Sequence, residues 1–248
     1  MTERVWDKFL THRDKAVLAA TGYGAFGGFG KRPAILVVDV NYAFAGDRPE
    51  PILESVKRWR NSCGESAWPA IAAIKRIIAA GRAKGLPVIY STSISRTDRW
   101  DDGGWAWKNT RSGEAPPRVN TDIDPDDIVA EIAPMPRDLM IRKQKPSAFY
   151  GSNLASYLVL LGADSVIVTG TTTSGCVRAT VIDAFSLNYR IAIAEDGCFD
   201  RTEASHAINL FDMHAKYADV VASDEILTYI ATLPAGMFDL PSGRGAKG

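Results

Sequence analysis

Two hydrophobic patterns alternate along the chain. The first is a short, nearly unbroken apolar run closed by turn or polar residues: 34–40 (AILVVDV), 86–93 (LPVIYSTS), 138–143 (DLMIRK), 164–170 (DSVIVTG), 190–196 (RIAIAED) and 218–223 (ADVVAS). Runs of this length predict strands buried on both faces. The second pattern is helical, over 68–85, 152–163, 175–189, 201–217 and 223–233. Gly85 and late basic residues close the first of these helices, and serines open the second and the last. Strands alternating with helices predict βαβ units. The expected fold is α/β: a three-layer α/β/α, Rossmann-like sandwich around a mostly parallel six-stranded sheet.

The flanks break the pattern. Residues 1–30 read as an arm, a short amphipathic segment followed by the glycine- and aromatic-rich stretch 21–33 (TGYGAFGGFGKRP). A phosphate-cradling loop follows a strand and opens a helix; this stretch precedes the first strand, so it is read as structural. A single α/β domain is expected over 31–233, and an irregular tail over 234–248. Two internal stretches are more elaborate than a connection requires. One, 45–68, is expected to shape an oligomer contact. The other, 96–136, is polar, turn-rich and carries several tryptophans, and is expected to be functional or packed on a partner.

Length and composition allow one domain with a sizeable core, at 248 residues and 46% hydrophobic. Acidic and basic residues number 29 each, a formal net charge of zero. That balance argues against nucleic acid or an anionic membrane as an obligatory partner and permits self-association. The three cysteines, Cys63, Cys176 and Cys198, show no framework spacing, which suits free thiols in a reducing compartment. The opening residues lack the apolar core of a signal peptide. No run approaches the ~18 residues of a membrane span. A soluble, cytoplasmic protein is expected.

In open parallel sheets, ligands bind beyond the carboxyl ends of the strands. Asp39 ends the first run and Lys143 the third, and Cys176 lies just past the fourth, in TGTTTSGCVRAT (169–180). An acid, an ammonium and a thiol thus converge on one rim. A helix N-terminus and a nearby ammonium lower a thiol pKa. Asp39 is suited to take the thiol proton and return it to a leaving group. The small residues before Cys176 leave backbone N–H groups available to an oxyanion. Singly, each residue has a plainer reading: a strand-end cap, a solvated lysine, a small buried thiol. Their convergence favours chemistry.

On these residues the chain resembles the isochorismatase-like cysteine hydrolases, from about residue 28 to 233. RPAILVVDV resembles the family's first strand with its aspartate. RKQKPSAFYGSNL resembles its lysine segment, which places the lysine at Lys143 rather than Lys145. VTGTTTSGCVRATVIDA resembles its nucleophile segment. Within the family, ADVVASDEIL, NLFDMHAKY and DGCFDRTEASH are similar to segments of the N-carbamoylsarcosine amidohydrolase and maleamate amidohydrolase branch. The resemblance implies attack by Cys176 on an amide or ureido carbonyl, loss of ammonia, then hydrolysis of a thioester-type intermediate. Asp39 would be the general acid/base, and Lys143 would stabilise charge and orient the other two. It also implies a cis peptide between Thr171 and Thr172, an oxyanion hole from the backbone N–H groups of Thr172 and Cys176, a substrate carboxylate on Arg201, and a homo-oligomer, tetramer or dimer. Arg201 has a structural salt bridge as its alternative. Phe44 and the tryptophans of RWDDGGWAWKNTR, Trp107 among them, are candidates to wall the pocket, with packing or interface contact as the alternative for the tryptophans. Arg178 is read as structural, Cys63 as incidental, and Cys198 as a core or loop residue.

Metal-binding relatives carry an aspartate–histidine set after the first strand. DVNYAFAGDRP has no histidine, and His12, His206 and His214 lack ligand spacing near the rim. No metal and no cofactor are therefore expected, and a nicotinamidase is disfavoured. The expected partner is a small carboxylate-bearing N-carbamoyl compound or amide, with N-carbamoylsarcosine ahead of maleamate and ureidoacrylate. Tyr150 and the threonines at 171–173 are the positions that would alter that choice. Three other readings stay open: a vinyl-ether hydrolase, whose chemistry needs no thiol; a Cys–His hydrolase using His206 or His214; and a non-catalytic binding protein on this fold.

Overall fold

Strands β1 (Pro33–Val38), β2 (Val88–Ser93), β3 (Leu139–Lys143), β4 (Ser165–Thr171), β5 (Arg190–Phe199) and β6 (Asp219–Val221) form one sheet in the order β3-β2-β1-β4-β5-β6. Every neighbouring pair is parallel, where the sequence pattern predicts a mostly parallel sheet. The structure is a computed structural model and describes residues 4–108 and 122–242.

Nine helices are assigned among the described residues: α1 (His12–Thr21), α2 (Tyr42–Ala45), α3 (Ile52–Arg58), α4 (Ala67–Lys84), α5 (Gly104–Lys108), α6 (Leu154–Leu161), α7 (Arg178–Ser186), α8 (Glu203–Lys216) and α9 (Ser223–Thr232). All of β1 is buried, and its alternate side chains feed two cores. Ile35 and Val37 join Ile71, Ile74 and Ile78 of α4 and Ile226 and Ile230 of α9. Ala34, Leu36 and Val38 join Leu158 of α6, Val181 of α7 and Leu210 of α8. Helices therefore cover both faces, which is why the strand runs carry no polar alternation. Helix α4 buries one stripe at three- and four-residue intervals and ends at Gly85, whose φ of 71° forms a left-handed cap. Each isoleucine of that stripe contributes about 1.5–3 kcal/mol by leaving water.

The strand order reverses between β1 and β4, because β2 and β3 extend the sheet one way and β5 and β6 the other. That point opens a crevice at the carboxyl ends of β1 and β4. The two strands approach closely there: Val38 pairs with Gly170, and a Cβ on Gly170 would lie 2.1 Å from the Val38 carbonyl oxygen.

The boundaries differ from the sequence pattern where the site is built. Strand β1 stops at Val38, leaving Asp39 outside it at φ 53°. The helix expected over 175–189 starts at Arg178, behind a π-type turn at Thr173–Val177. Strand β5 runs on to Phe199. The serine expected to cap α6 sits one residue earlier: Ser152 Oγ accepts from Leu154 N–H at 3.1 Å, and Asn153 holds the N-cap position without a side-chain bond. At α9 the N-cap position is Ala222, and Ser223 N–H donates to Asp196 at 2.7 Å.

The longer segments also take shape. The 45–68 stretch contains α3 and a 3-10 turn at Gly64–Ser66. The 96–136 stretch contains 3-10 turns at Trp100–Asp102 and Ala130–Ile132 and helix α5, and its part from 109 to 121 lies outside the described residues. In the arm, α1 buries none of its residues, while Trp6 ahead of it is buried and Phe9 and Leu10 pack against the core beside it. Gly27 and Gly28 N–H donate to the Asp219 carboxylate at 2.9 and 2.7 Å, tying the arm to the end of the sheet. Among the described residues no helix is long and apolar enough to cross a membrane.

Gly170→Ala is expected to destabilise the fold by at least about 2–3 kcal/mol, combining a positive-φ penalty with the clash on Val38. Chemical denaturation would measure it, and an unchanged midpoint would contradict the close approach.

Candidate active site

Asp39 leaves β1 at a turn held by its own backbone: its N–H donates to Ser91 O at 3.0 Å, and Asn41 N–H donates back to its carbonyl at 2.8 Å. The turn aims the carboxylate across the crevice. Oδ1 accepts from Ser91 Oγ at 2.8 Å, and Oδ2 accepts from Lys143 Nζ at 2.7 Å. Lys143, the last residue of β3, pairs with Ser93 of β2, and its ammonium also donates to Lys145 O at 3.2 Å. The ion pair is deeply buried, Asp39 being 1% and Lys143 5% exposed.

Cys176 reaches the pair from the far side of the switch point. A cis peptide joins Thr171 to Thr172. Thr172 O accepts from Gly175 N–H at 2.9 Å and from Val177 N–H at 3.2 Å; the second of these bonds closes the wider, π-type turn. A Cβ at Gly175 would lie 2.6 Å from Thr172 Oγ1, so any larger residue would force that side chain to shift. Two consecutive residues pin the turn to the end of β5. Thr173 Oγ1 donates to Phe199 O at 3.2 Å, leaving His206 Nδ1, 2.8 Å away, as donor to the same oxygen. Ser174 donates from N–H and Oγ to Asp200 Oδ2 at 2.8 and 2.7 Å.

The Cys176 thiol shares the cavity lining with Asp39 and Lys143, the two charges that act on it. Sequence reasoning expects its pKa to be depressed; the structure reverses the sign. Burial and the Asp39 charge outweigh the ammonium and push the thiol up to about 12. Cys176 also lies in the π-type turn rather than in the first turn of α7, which weakens the helix-terminus contribution. Burial works against the Lys143 ammonium, but the Asp39 charge and the hydrogen bonds outweigh it, so its pKa is raised. The resting site thus holds a neutral thiol beside a carboxylate–ammonium pair.

A cavity of about 820 Å³ opens over these groups. Asp39, Lys143, Thr172 and Cys176 line its floor, and Phe44 and Arg201 line its wall. The Arg201 guanidinium donates to Asn61 O at 2.6 Å and lies 5.5 Å from the centre of the Phe44 ring. Arg60 and Asn61 place the 45–68 stretch in the cavity wall. The tryptophan in the lining is Trp105; Trp107 is 79% exposed and outside the lining. Its neighbours Asp101 and Trp105 reach Gln144 and Lys145: Gln144 Nε2 donates to Asp101 Oδ2, and Trp105 Nε1 donates to Gln144 O at 3.4 Å. Tyr150 is exposed and outside the lining.

The other candidates fall elsewhere. Arg178 donates to Asn209 Oδ1 at 2.6 Å and Asp212 Oδ2 at 3.2 Å, bracing α7 against α8. Cys63 is buried 3.5 Å from Thr171 Oγ1, its pKa pushed up to about 11 chiefly by burial. Cys198 is buried in the core, with its pKa also raised by burial. His206 serves Thr173, and His214 accepts from Val220 N–H at 3.2 Å beside Trp6. Neither lines the cavity. Among the described residues no group of three or more His, Cys, Asp and Glu is placed to hold a metal ion. Sequence reasoning missed Ser91 and Asp200. Ser91 stood out as a polar residue inside a buried strand run; Asp200 gave no signal beyond its place after β5.

The isochorismatase domain description matches residues 33–225, and the chain belongs to the isochorismatase family. An N-carbamoylsarcosine amidase of Arthrobacter sp is 32% identical over 213 residues, covering 84% of this chain and 74% of the relative. A maleamate amidohydrolase of Pseudomonas putida is 27% identical over 213 residues, covering 83% and 90%. The solved structure of an N-carbamoylsarcosine amidase from Thermoplasma acidophilum matches with a TM-score of 0.59 at 26% identity, covering 78% of this chain and 97% of that one.

The raised thiol pKa carries a pH dependence. Alkylation of Cys176 by iodoacetamide should accelerate about tenfold per pH unit from about pH 7 to pH 10, following the thiolate fraction. A rate plateau near neutrality would show a preformed thiolate instead.

Proposed function

We propose that the chain is a cysteine amidohydrolase, working without a metal, that cleaves a terminal C–N bond of a small carboxylate-bearing N-carbamoyl compound or amide and releases ammonia. N-carbamoylsarcosine is the favoured substrate. The observation that carries this reading is a thiol lining the same cavity as a buried, hydrogen-bonded Asp39–Lys143 pair, with Arg201 in the wall.

The steps follow from that arrangement. Asp39 takes the Cys176 proton as sulfur adds to the substrate carbonyl carbon. The resulting oxyanion is met by the backbone N–H groups of Thr172 and Cys176 and by the positive field of Lys143. Collapse breaks the C–N bond; nitrogen takes the proton from Asp39 and leaves as ammonia. Asp39 then takes a proton from water as its oxygen attacks the thioester-type carbonyl, and sulfur leaves with that proton. A ureido substrate would yield a carbamic acid, which loses carbon dioxide to give the amine. Arg201 suits the substrate carboxylate because its planar fork presents two donors at once.

A second reading, maleamate, is favoured by the 27%-identical relative and by the same arginine, since maleamate is also a linear amide with a carboxylate. The proposal includes a dimer or tetramer and a cytoplasmic setting: α1 buries no residue within the chain, and all three cysteines are free thiols.

Ammonia release from N-carbamoylsarcosine, maleamate, ureidoacrylate, biuret and nicotinamide tests the reading. One acidic member should be turned over by the wild type and not by Cys176→Ala. Full activity in that variant would overturn the nucleophile assignment, and release from no member would favour a binding protein on this fold. With the active substrate, Arg201→Ala should raise KM about tenfold or more while a neutral analogue is little affected. An unchanged KM would remove Arg201 from the carboxylate site.

A further inference from the structure

One carboxylate stands between the two halves of the proposed site. Asp200 follows β5, and its two oxygens face different partners. Oδ2 accepts both the N–H and the hydroxyl of Ser174, at 2.8 and 2.7 Å, and Ser174 lies two residues before Cys176 in the π-type turn. Oδ1 accepts the N–H of Arg201 at 2.7 Å. The preceding residue, Phe199, holds Thr173 through its carbonyl at 3.2 Å. The turn that carries the thiol and the residue that carries the guanidinium are therefore fixed to the same side chain. A carboxylate is required to do this, because three donors converge on it and an ionised carboxylate is acceptor-only.

We infer that Asp200 is a positioning residue that sets the distance between the nucleophile and the substrate-carboxylate ligand, so that binding at Arg201 and attack at Cys176 are tuned together. This rests on the roles proposed for Cys176 and Arg201. Its physical basis is geometric: sulfur adds only from a near-attack position, and a displacement on the order of 1 Å costs about a hundredfold in rate. Asp200 does not line the cavity, although Arg201, Gly175 and Cys176 do. Its effect runs through its neighbours.

Two substitutions separate coupling from simple support. Asp200→Ala removes both arms. It should lower kcat about thirtyfold and raise KM about tenfold on the acidic substrate, because both the turn that carries the thiol and the backbone of Arg201 lose their anchor. Asp200→Asn keeps one acceptor, which the two Ser174 donors favour, and turns an amide N–H toward the Arg201 N–H. It should keep kcat within about threefold of wild type while KM rises about tenfold.

A readout independent of turnover is the pH profile of Cys176 alkylation, followed by mass spectrometry of the modified peptide. In Asp200→Ala the turn relaxes, the thiol moves away from the Asp39 charge, and the steep part of the profile should move toward neutral pH. Wild-type kcat, KM and alkylation profile in a folded Asp200→Ala would overturn the inference. Where Asp200→Ala does not fold by circular dichroism, Asp200→Asn decides: a fall in kcat with KM unmoved overturns it. Where no substrate is turned over, the alkylation profiles decide alone. Cys176→Ala run in parallel keeps the two ideas apart. Full activity there defeats the nucleophile reading, whereas a dead Cys176→Ala beside a wild-type-like Asp200→Ala defeats only the coupling.

Discussion

The buried pair of Lys143 and Asp39, 2.7 Å apart, is the constraint around which the site is arranged. Taking two ions out of water costs several kcal/mol each, and attraction offsets this only when geometry is good and the remaining polar atoms are satisfied. The structure meets both conditions: Ser91 bonds the second Asp39 oxygen, and the Lys145 carbonyl takes another ammonium hydrogen. Neither partner tolerates loss of the other, since a lone buried charge would remain. The pair also governs the thiol beside it. Cys176 meets a carboxylate and an ammonium at once, and burial tips the balance toward the neutral form.

The sheet supplies the positions. Asp39 and Cys176 follow the two strands that flank the switch point, and Lys143 ends the strand at one edge. Further lining comes from the connecting segments: Arg60 and Asn61 from the stretch after α3, Trp105 from α5, and Arg201 from the turn between β5 and α8.

Much of this was legible in the chain. Strands buried on both faces announce themselves as apolar runs, so their carboxyl ends, and with them Asp39, Lys143 and Cys176, were readable from pattern alone. Arg201 and Phe44 came from resemblance and lie in the cavity wall. What was not legible depends on distances between remote groups. The rise in the Cys176 pKa is a balance of burial and two charges that only the assembled crevice sets. The π-type turn arises because Thr172 O accepts from Val177, which no residue pattern marks. Trp105 and Trp107 sit in a segment without periodicity, so nothing in the sequence said which one faces inward. Asp200 is one of many polar residues after a strand, and its three donors become visible only once β5 and the nucleophile turn meet.

The separation of the three groups along the chain has a consequence for how the protein comes into being. Asp39 and Lys143 are 104 residues apart, and Cys176 comes from a third strand. None can meet before β1, β3 and β4 have joined the sheet, and pairings between distant segments are slow to close because chain entropy must be surrendered first. Refolding chains would lack the assembled site until the last of these closures, so its appearance would mark the joining of β1, β3 and β4 rather than the formation of helices. A chain caught midway through synthesis carries its cysteine as an ordinary side chain.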